Sequence, residues 1–496
     1  MGLPAHSIAR RLGSSSRFYA ALSIVLAAAA PSFGTDESPP PGVVIFIADD
    51  LGYADIGVYG ARGIRTPNLD RLAREGRRFT NFHVAQAVCS ASRTALLTGC
   101  YPNRLGIHGA LGPQSTHGIH EAETTLAELL RGRGYSTAAF GKWHLGHLPA
   151  FLPCRHGFDE YFGLPYSNDM WPHHPAAKPG TYPPLPLIDG DKVVDEEVTP
   201  EEQKELTARY TERAVRFLEQ QKEKAPFFLY VAYAMPHVPL FASPGFEGKS
   251  ERGLYGDVIE EIDASVGTVL AALERIGATD RTLVMFLSDN GPWLSYGEHA
   301  GSAGPFREGK GTVWEGGTRV PCILRWPGMV PADTTSEARW MSIDVLPTIA
   351  KRVGAPLPAL PIDGLDVWEW ITGAPGAQNP HAAYFHYYAE NELQAVSTGD
   401  GQWKLVLPHE YRTLGGKPGG TGGKPVAYEQ RKVTAAELYE LPRDPAEEHD
   451  VACEHPDVVR KLESLAEAER EVLGDALHEC AGRGAREPGR VEIPRK

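Results

Sequence analysis

Val43-Val-Ile-Phe-Ile-Ala-Asp-Asp50 (VVIFIADD) is the stretch on which the reading of this chain turns. Its six apolar residues, mostly β-branched and without polar alternation, predict a strand buried on both faces, as in a parallel sheet covered by helices. Two adjacent acids at the end of such a strand are costly unless something neutralises them. The pattern returns at Thr282–Leu287 (TLVMFL), which runs into Ser288-Asp289-Asn290-Gly291. Parallel strands end at one edge of a sheet, so Asp49, Asp50, Asp289 and Asn290 are expected to converge there. These four hard oxygen donors suit Ca²⁺, and Mg²⁺ less well, rather than zinc or copper.

Working outward, Ser136–Phe140, Phe227–Ala232 and Val320–Leu324 read as further strands. Helices are predicted after Thr66-Pro67, after Thr124-Thr125, from Thr199-Pro200 through Leu206, Tyr210, Ala214 and Phe217, and over Ile259–Leu273. This alternation predicts an α/β fold: a large mixed, mostly parallel sheet flanked by helices. The composition shifts at Thr372–Gly376. Beyond it, Ala383–Tyr388, Leu393–Ser397 and Trp403–Leu407 read as short antiparallel strands, and Val459, Leu462 and Ala466 lie on a closing helix. The expected division is an export signal over 1–34, a catalytic domain over 35–375 and a small C-terminal α+β subdomain over 376–496. Gly415–Pro425, rich in glycine, proline and lysine, is expected to be a mobile loop.

The chain has 496 residues, 42% of them hydrophobic and 23% charged, enough for a large core. Its net charge of −14 leaves no basic surplus to neutralise phosphates, which excludes nucleic-acid binding. Arg10, Arg11 and Arg17 precede an apolar run, Tyr19–Ala30, that is too short for stable membrane insertion. The protein is therefore expected to be exported, periplasmic or secreted. The absence of an Asn-x-Ser/Thr sequon agrees with a bacterial source. Export permits disulfides, and Cys453 could pair with Cys480 across the closing helix.

A second stretch carries the chemistry: Val88–Gly109, VCSASRTALLTGCYPNRLGIHG. Cys89 falls at the mouth of a predicted helix whose start is rich in small polar residues, a natural place for an anion. Arg93 lies one turn on. Gly141-Lys142-Trp143-His144-Leu145-Gly146 directly follows a strand, where α/β sheets place their ligands.

Cys89-Ser-Ala-Ser-Arg93 with Leu97-Thr-Gly-Cys-Tyr-Pro102 resembles the signature of the type I, formylglycine-dependent sulfatases. The departure is Ala91, where the family usually has proline. Gly141–Gly146 is similar to a second signature, and Asp289–Pro292, Gly309–Thr312 and Glu315–Gly317 to later ones. Leu164-Pro165-Tyr166-Ser167 looks like the serine segment of the arylsulfatase A-like branch. The resemblance spans residues 42–475.

That resemblance implies an alkaline phosphatase-like fold. It also implies hydrolysis of sulfate esters, of a sulfated carbohydrate or aryl sulfate, to alcohol and inorganic sulfate. Asp49, Asp50, Asp289, Asn290 and modified Cys89 would hold the metal. Arg93, Lys142, His144, Ser167, His237 and Lys310 would bind sulfate and move protons. The implied nucleophile is a hydroxyl of the hydrated aldehyde that a formylglycine-generating enzyme makes from Cys89. His237 or Lys310 would protonate the leaving alcohol, and His144 would serve as the base that frees sulfate. Trp171, His173 and His174 are expected at the pocket mouth. Two alternatives stand beside this: a phosphoester or phosphonate hydrolase of the same superfamily, and an unmodified, inactive sulfate-binding homologue, which Ala91 would favour.

Overall fold

The VVIFIA run is one of the two central strands of a ten-stranded sheet, and all of its residues are buried. The computed structural model describes residues 41–221 and 226–492; the expected export signal lies outside the described residues. The sheet strands are β1 (Gly42–Ala48), β2 (Arg77–Phe79), β3 (Ser136–Gly141), β4 (Glu160–Gly163), β5 (Leu187–Asp189), β6 (Lys192–Asp195), β7 (Phe227–Ala232), β8 (Thr282–Ser288), β9 (Cys322–Arg325) and β10 (Thr334–Ser336). Their spatial order is β10-β2-β9-β8-β1-β7-β3-β4-β5-β6. The central run β8-β1-β7-β3-β4 is parallel throughout. Antiparallel pairings flank it on both sides: β8 with β9, β9 with β2, β4 with β5, and β5 with β6.

Two cores explain why β1 shows no polar alternation. Val44, Phe46 and Ala48 pack with residues of α1 (Pro67–Arg74), α4 (Leu206–Gln220) and α5 (Gly253–Arg275). Val43, Ile45 and Ile47 pack with residues of α2 (Cys89–Thr98), α3 (Leu126–Arg131) and α6 (Val345–Arg352). Each of these Val, Ile and Phe side chains contributes about 1.5–3 kcal/mol relative to exposure.

C-terminal to this layer lie β11 (Ala383–Tyr388), β12 (Glu392–Thr398), β13 (Trp403–Val406), β14 (His409–Thr413), β15 (Glu429–Val433), β16 (Glu437–Glu440) and α7 (Pro456–Leu473). β11-β12-β13-β16 form an antiparallel sheet, and β14 pairs with β15 as a hairpin. Leu462, Ala466 and Leu473 of α7 share a core with Leu393, Leu405 and Leu438 of that sheet, and also with Ala95 of α2 and Met341.

Four expectations need correction. The helix predicted from Thr199 is two helices. Thr199 caps Pro200–Gln203 through a capping box, and the chain restarts at Leu206. The strand expected at Val320–Leu324 begins at Cys322 and is antiparallel to β8. The Gly415–Pro425 loop is tied down: Gly420 and Val426 donate backbone N–H bonds to the Ser295 carbonyl, at 2.9 and 3.0 Å. Cys453 and Cys480 are unpaired thiols; Cys453 is exposed, while the Cys480 thiol lies 3.4 Å from the Arg470 carbonyl. Among the described residues, no helix is long and apolar enough to cross a membrane.

Candidate functional site

Each strand of the parallel run hands over part of one site at its C-terminal end, the edge where open α/β sheets bind ligands. β1 leads into Asp49 and Asp50, and β8 into Asp289 and Asn290; Ala48 and Ser288, the last residues of these strands, are register partners. β3 leads into Lys142 and His144, β7 through Pro236 to His237, and β4 through Leu164–Tyr166 to Ser167. Cys89 arrives separately, as the first residue of α2.

The start of α2 differs from expectation. Its cap is Val88, in extended conformation and making no side-chain bond, not a small polar residue. The helix's free N–H groups are met from elsewhere: Ala91 donates to the Gly109 carbonyl at 3.2 Å. Proline, usual at this signature position, has no N–H to make that bond. Ser90 Oγ instead accepts from Leu111 N at 2.9 Å.

Around Cys89, Sγ lies 3.5 Å from Asp49 Oδ1 and 3.3 Å from Lys310 Nζ. Lys310 Nζ donates to both Asp50 oxygens, at 2.7 and 2.9 Å. Lys142 Nζ donates to Asp49 Oδ2 at 2.5 Å and to Ser167 Oγ at 3.0 Å. Arg93 donates through Nε to Asp289 Oδ2 at 2.9 Å and through Nη1 to the Lys142 carbonyl at 2.7 Å. Three buried carboxylates thus face three buried cations. The backbone is held in the left-handed region at Asp50 (φ 64°) and His144 (φ 66°). That conformation costs an L-residue on the order of 1–3 kcal/mol and clusters at functional sites.

The donor set fits a divalent cation. Ligand atoms of Asp49, Asp50, Cys89 and His237 all lie within 4.8 Å of one another. Asp50 N–H donates to Asp289 Oδ1 at 3.0 Å, and Asn290 Nδ2 donates to Asp50 Oδ1 at 2.7 Å, which draws both strand ends into the cluster. Asn290 Oδ1 is buried with no partner. A buried orphan acceptor calls for an explanation, and a cation beside Asp50 supplies one.

Burial would raise Asp49, but Lys142, His237 and Arg93 together hold its carboxyl below the usual range. Asp289 is pushed up by burial and by Asp49, against Arg93 and Lys142. Burial would lower Lys142 and Lys310, yet Asp49 and Asp50 respectively lead the groups that hold each above the usual lysine range. Burial pushes the Cys89 thiol well up despite Lys142 and Lys310, so it stands neutral. Burial, Lys142 and Arg93 press His144 far below its usual value. Its Nε2 lies 2.8 Å from the Leu111 carbonyl, an acceptor only, so Nε2 carries the proton and the unpartnered Nδ1 keeps a lone pair. His237 Nδ1 donates to the Val238 carbonyl at 2.6 Å, and its Nε2 lies 3.6 Å from Asp50.

The predicted residues Asp49, Asp50, Cys89, Arg93, Lys142, His144, Ser167, His237, Asp289, Asn290 and Lys310 are all at least nine-tenths buried around this edge. The expected mouth residues divide. Trp171 is core, with Nε1 donating to the Val198 carbonyl at 2.9 Å and its ring edge-on to Phe241. His173 is exposed and lies 3.4 Å from Glu197. His174 alone reaches the site's surroundings, 3.4 Å from the Tyr296 hydroxyl. Three neighbours were not foreseen. Asp169 is held below the usual carboxylate range: burial opposes, but His237, the Ser167 hydroxyl, Lys142 and Lys310 prevail. Trp293 lies under Lys310, whose Nζ is 4.6 Å from its ring centroid. Arg412 of β14 donates through Nε to the Lys310 carbonyl at 3.1 Å. Asp169 and Trp293 each stand within three residues of a predicted site residue; Arg412 had no local signal.

Strand-end carboxylates and buried cations at one edge of such a sheet define a hydrolase of the alkaline phosphatase-like class. Residues 41–355 match the family model described as Sulfatase. The chain is 38% identical over 467 residues to arylsulfatase A of Homo sapiens, covering 89% of this chain and 90% of that protein. It is 36% identical over 484 residues to N-acetylgalactosamine-6-sulfatase of Canis lupus familiaris, covering 91% and 90%. The PsFucS1 sulfatase from Pseudoalteromonas sp. superposes with a TM-score of 0.76 at 26% identity, covering 87% of this chain and 90% of that one. The chain belongs to the sulfatase family and is a sulfuric ester hydrolase. Neither alternative reading gains support from these comparisons.

Proposed function

We propose that this sulfatase removes sulfate from a sulfated carbohydrate, and from small aryl sulfates in vitro, using Cys89 converted to formylglycine. Ca²⁺ would be held by Asp49, Asp50, Asp289, Asn290 and residue 89. The observation that carries this reading is the convergence of the parallel strand ends on Cys89, with Asp49 and Lys310 within 3.5 Å of its sulfur. N-acetylgalactosamine-6-sulfatase among the relatives supports a sugar substrate.

Once present, the cation and the aldehyde hydrate supply charge neutralisation and a nucleophilic hydroxyl at residue 89. The chain's own residues do the rest. Arg93, Lys142 and Lys310 are rigid, buried donors suited to the sulfate oxygens, where preorganised charge is worth most. Ser167, on Lys142 Nζ, fixes that ammonium's direction. His237, when its ring carries a proton on both nitrogens, is placed to give the one on Nε2 to the departing alcohol oxygen while Nδ1 stays on the Val238 carbonyl. His144, neutral with a free Nδ1, is the group placed to accept one as sulfate is released. A divalent cation added to three balanced ion pairs leaves net positive charge, which complements an anionic ester.

Residues 1–34 would direct export to the periplasm or medium, and a formylglycine-generating enzyme would act on the chain during maturation. Residues 35–375 and 376–496 would form the catalytic domain and C-terminal subdomain. The test is 4-nitrophenyl sulfate hydrolysis by protein co-produced with a formylglycine-generating enzyme, beside Cys89→Ala and a chelator-treated sample. Mass spectrometry of the Cys89 peptide reports conversion, and the thermal midpoint with added Ca²⁺ or Mg²⁺ reports the ion. Activity lost in both controls, with a larger midpoint rise for Ca²⁺, is expected. Full turnover by Cys89→Ala or after chelation would overturn the reading.

A further inference from the structure

Exposure within the site rises in one direction. Asp49, Arg93, Lys142, Asp289 and Asn290 are 0% exposed, Cys89 and His237 2%, Lys310 6% and Asp169 9%. Access therefore lies on the side of Lys310 and Asp169. Two loops edge that side, Ser167–His174 and Trp293–Tyr296. They meet where the Tyr296 hydroxyl lies 3.4 Å from His174 Nε2.

Two residues of this rim have no role in the chemistry described above. Asp169 is nine-tenths buried, yet its Oδ1 meets no hydrogen-bond donor. Trp293 is only partly buried. Its ring lies against Lys310 Nζ (4.6 Å), the His237 ring (5.6 Å) and the Tyr296 ring (5.0 Å). The indole thus stands beside the group placed to protonate the leaving oxygen, and it spans from there to the rim.

The geometry points to a subsite for a hydroxyl-rich sugar ring at this rim, with Asp169 accepting hydrogen bonds from ring hydroxyls and the exposed part of Trp293 packing against the ring's apolar C–H surface. It rests on the sulfatase reading of the pocket beneath and names what the leaving group must offer. The physical reason is the cost of a covered carboxylate oxygen, Oδ1, that has no donor although the Ser167 hydroxyl already serves the group. An aryl aglycone closing over Asp169 gives its Oδ1 nothing, whereas a polyol supplies donors. Sites built to bond a hydroxyl discriminate strongly against partners that lack it. Trp293 is less selective, because any flat or weakly polar ring gains from the contact.

The test uses binding as well as turnover. In a Cys89→Ala background, which offers no nucleophile, calorimetry would measure affinity for galactose 6-sulfate, N-acetylgalactosamine 6-sulfate, 4-nitrophenyl sulfate and inorganic sulfate. Adding Asp169→Asn is expected to weaken the tighter-binding sulfated sugar by about tenfold or more, with 4-nitrophenyl sulfate and inorganic sulfate changed by less than about threefold. Adding Trp293→Leu is expected to weaken sugar and aryl esters together and leave inorganic sulfate unchanged. In converted enzyme the same changes should appear in KM for the sugar, with kcat nearly constant. Equal weakening of all ligands, inorganic sulfate included, would overturn the subsite, because both residues would then act on the anion pocket. A converted enzyme that hydrolyses 4-nitrophenyl sulfate but neither binds nor hydrolyses either sugar would also overturn it, and would spare the sulfatase reading. Inertness toward every ester, with conversion confirmed, would overturn both.

Discussion

Two clusters of buried charge sit in this protein, and their difference shows what makes a site. The first surrounds Cys89. The second lies where the Lys310 loop meets the C-terminal sheet. There Lys404 of β13 donates to the Val313 carbonyl at 2.6 Å and to Glu315 at 3.1 Å, and pairs with Glu447 at 2.8 Å. His83 Nε2 lies 3.0 Å from Glu315 Oε2, and Glu315 N–H donates to Glu447 Oε2 at 2.7 Å. His83, Glu315, Lys404 and Glu447 are all fully buried. Both clusters bury carboxylates against cations. The second, however, sits away from the parallel strand ends, is sealed from solvent and holds no nucleophile. The first sits at those ends, opens toward Asp169 and Trp293, and keeps a spare oxygen on Asn290. Access and donor chemistry, not buried charge, separate a reaction centre from a brace.

The comparison can be broken by experiment. The largest effect is expected at Cys89: Cys89→Ala should lower kcat for sulfate esters by on the order of 10⁴-fold or more. Its thermal midpoint should stay within about 4 °C of the parent, as scanning calorimetry would show. Lys404→Ala should do the reverse. It strands Glu315 and Glu447, and urea unfolding should show a loss of about 3–5 kcal/mol. The kcat of the molecules that remain folded should change only severalfold. A collapse of turnover with stability intact would erase the distinction.

The brace should also respond to pH. Burial, chiefly, and then Arg339 lower His83 to about 3, against the pull of Glu315. The folded chain therefore refuses a proton that the unfolded chain accepts below about 6.5. The His83 share of stability is fully present above that value and falls as pH drops toward 3, by about 2 kcal/mol between pH 6.5 and 5. Glu447, which burial chiefly raises to about 7, opposes it with a gain of similar size over the same range. His83→Gln should remove the first share, so that the variant gains stability on acidification where the parent changes little; the same slope in both would mean that other groups set it. The smallest effect is a control far from both clusters. Thr125 caps α3 in a capping box, accepting from Glu128 N at 3.1 Å. Thr125→Ala should cost about 1 kcal/mol by denaturation and leave both pH slope and kcat alone.

Much of this site was legible before any coordinates. Apolar runs without alternation announced two-sided burial, and acids at the ends of two such runs announced that those ends would meet. Both inferences hold because a strand pattern is local and parallel strands share an edge. The family motifs placed Cys89, Arg93, Lys142, His144 and Lys310 in the same way. Trp171 was misplaced because an aromatic near a site motif reads alike whether its ring faces the pocket or, as here, packs on Phe241. The continuous helix expected from Thr199 failed because helical spacing survives the break at Lys204–Glu205.

By itself, then, the sequence determined the sheet's parallel centre, the acids at its strand ends and the identity of the residues that meet at Cys89. Those follow from side-chain period and from short motifs, which act over a few residues. Only the tertiary structure decided which neighbours edge that pocket and which brace it. His174 and Tyr296 meet across 122 positions of chain, and Arg412 reaches Lys310 across 102. Lys404 finds Glu315 across 89. Such pairings depend on how loops and the C-terminal sheet pack over the strand ends, and no local periodicity encodes that.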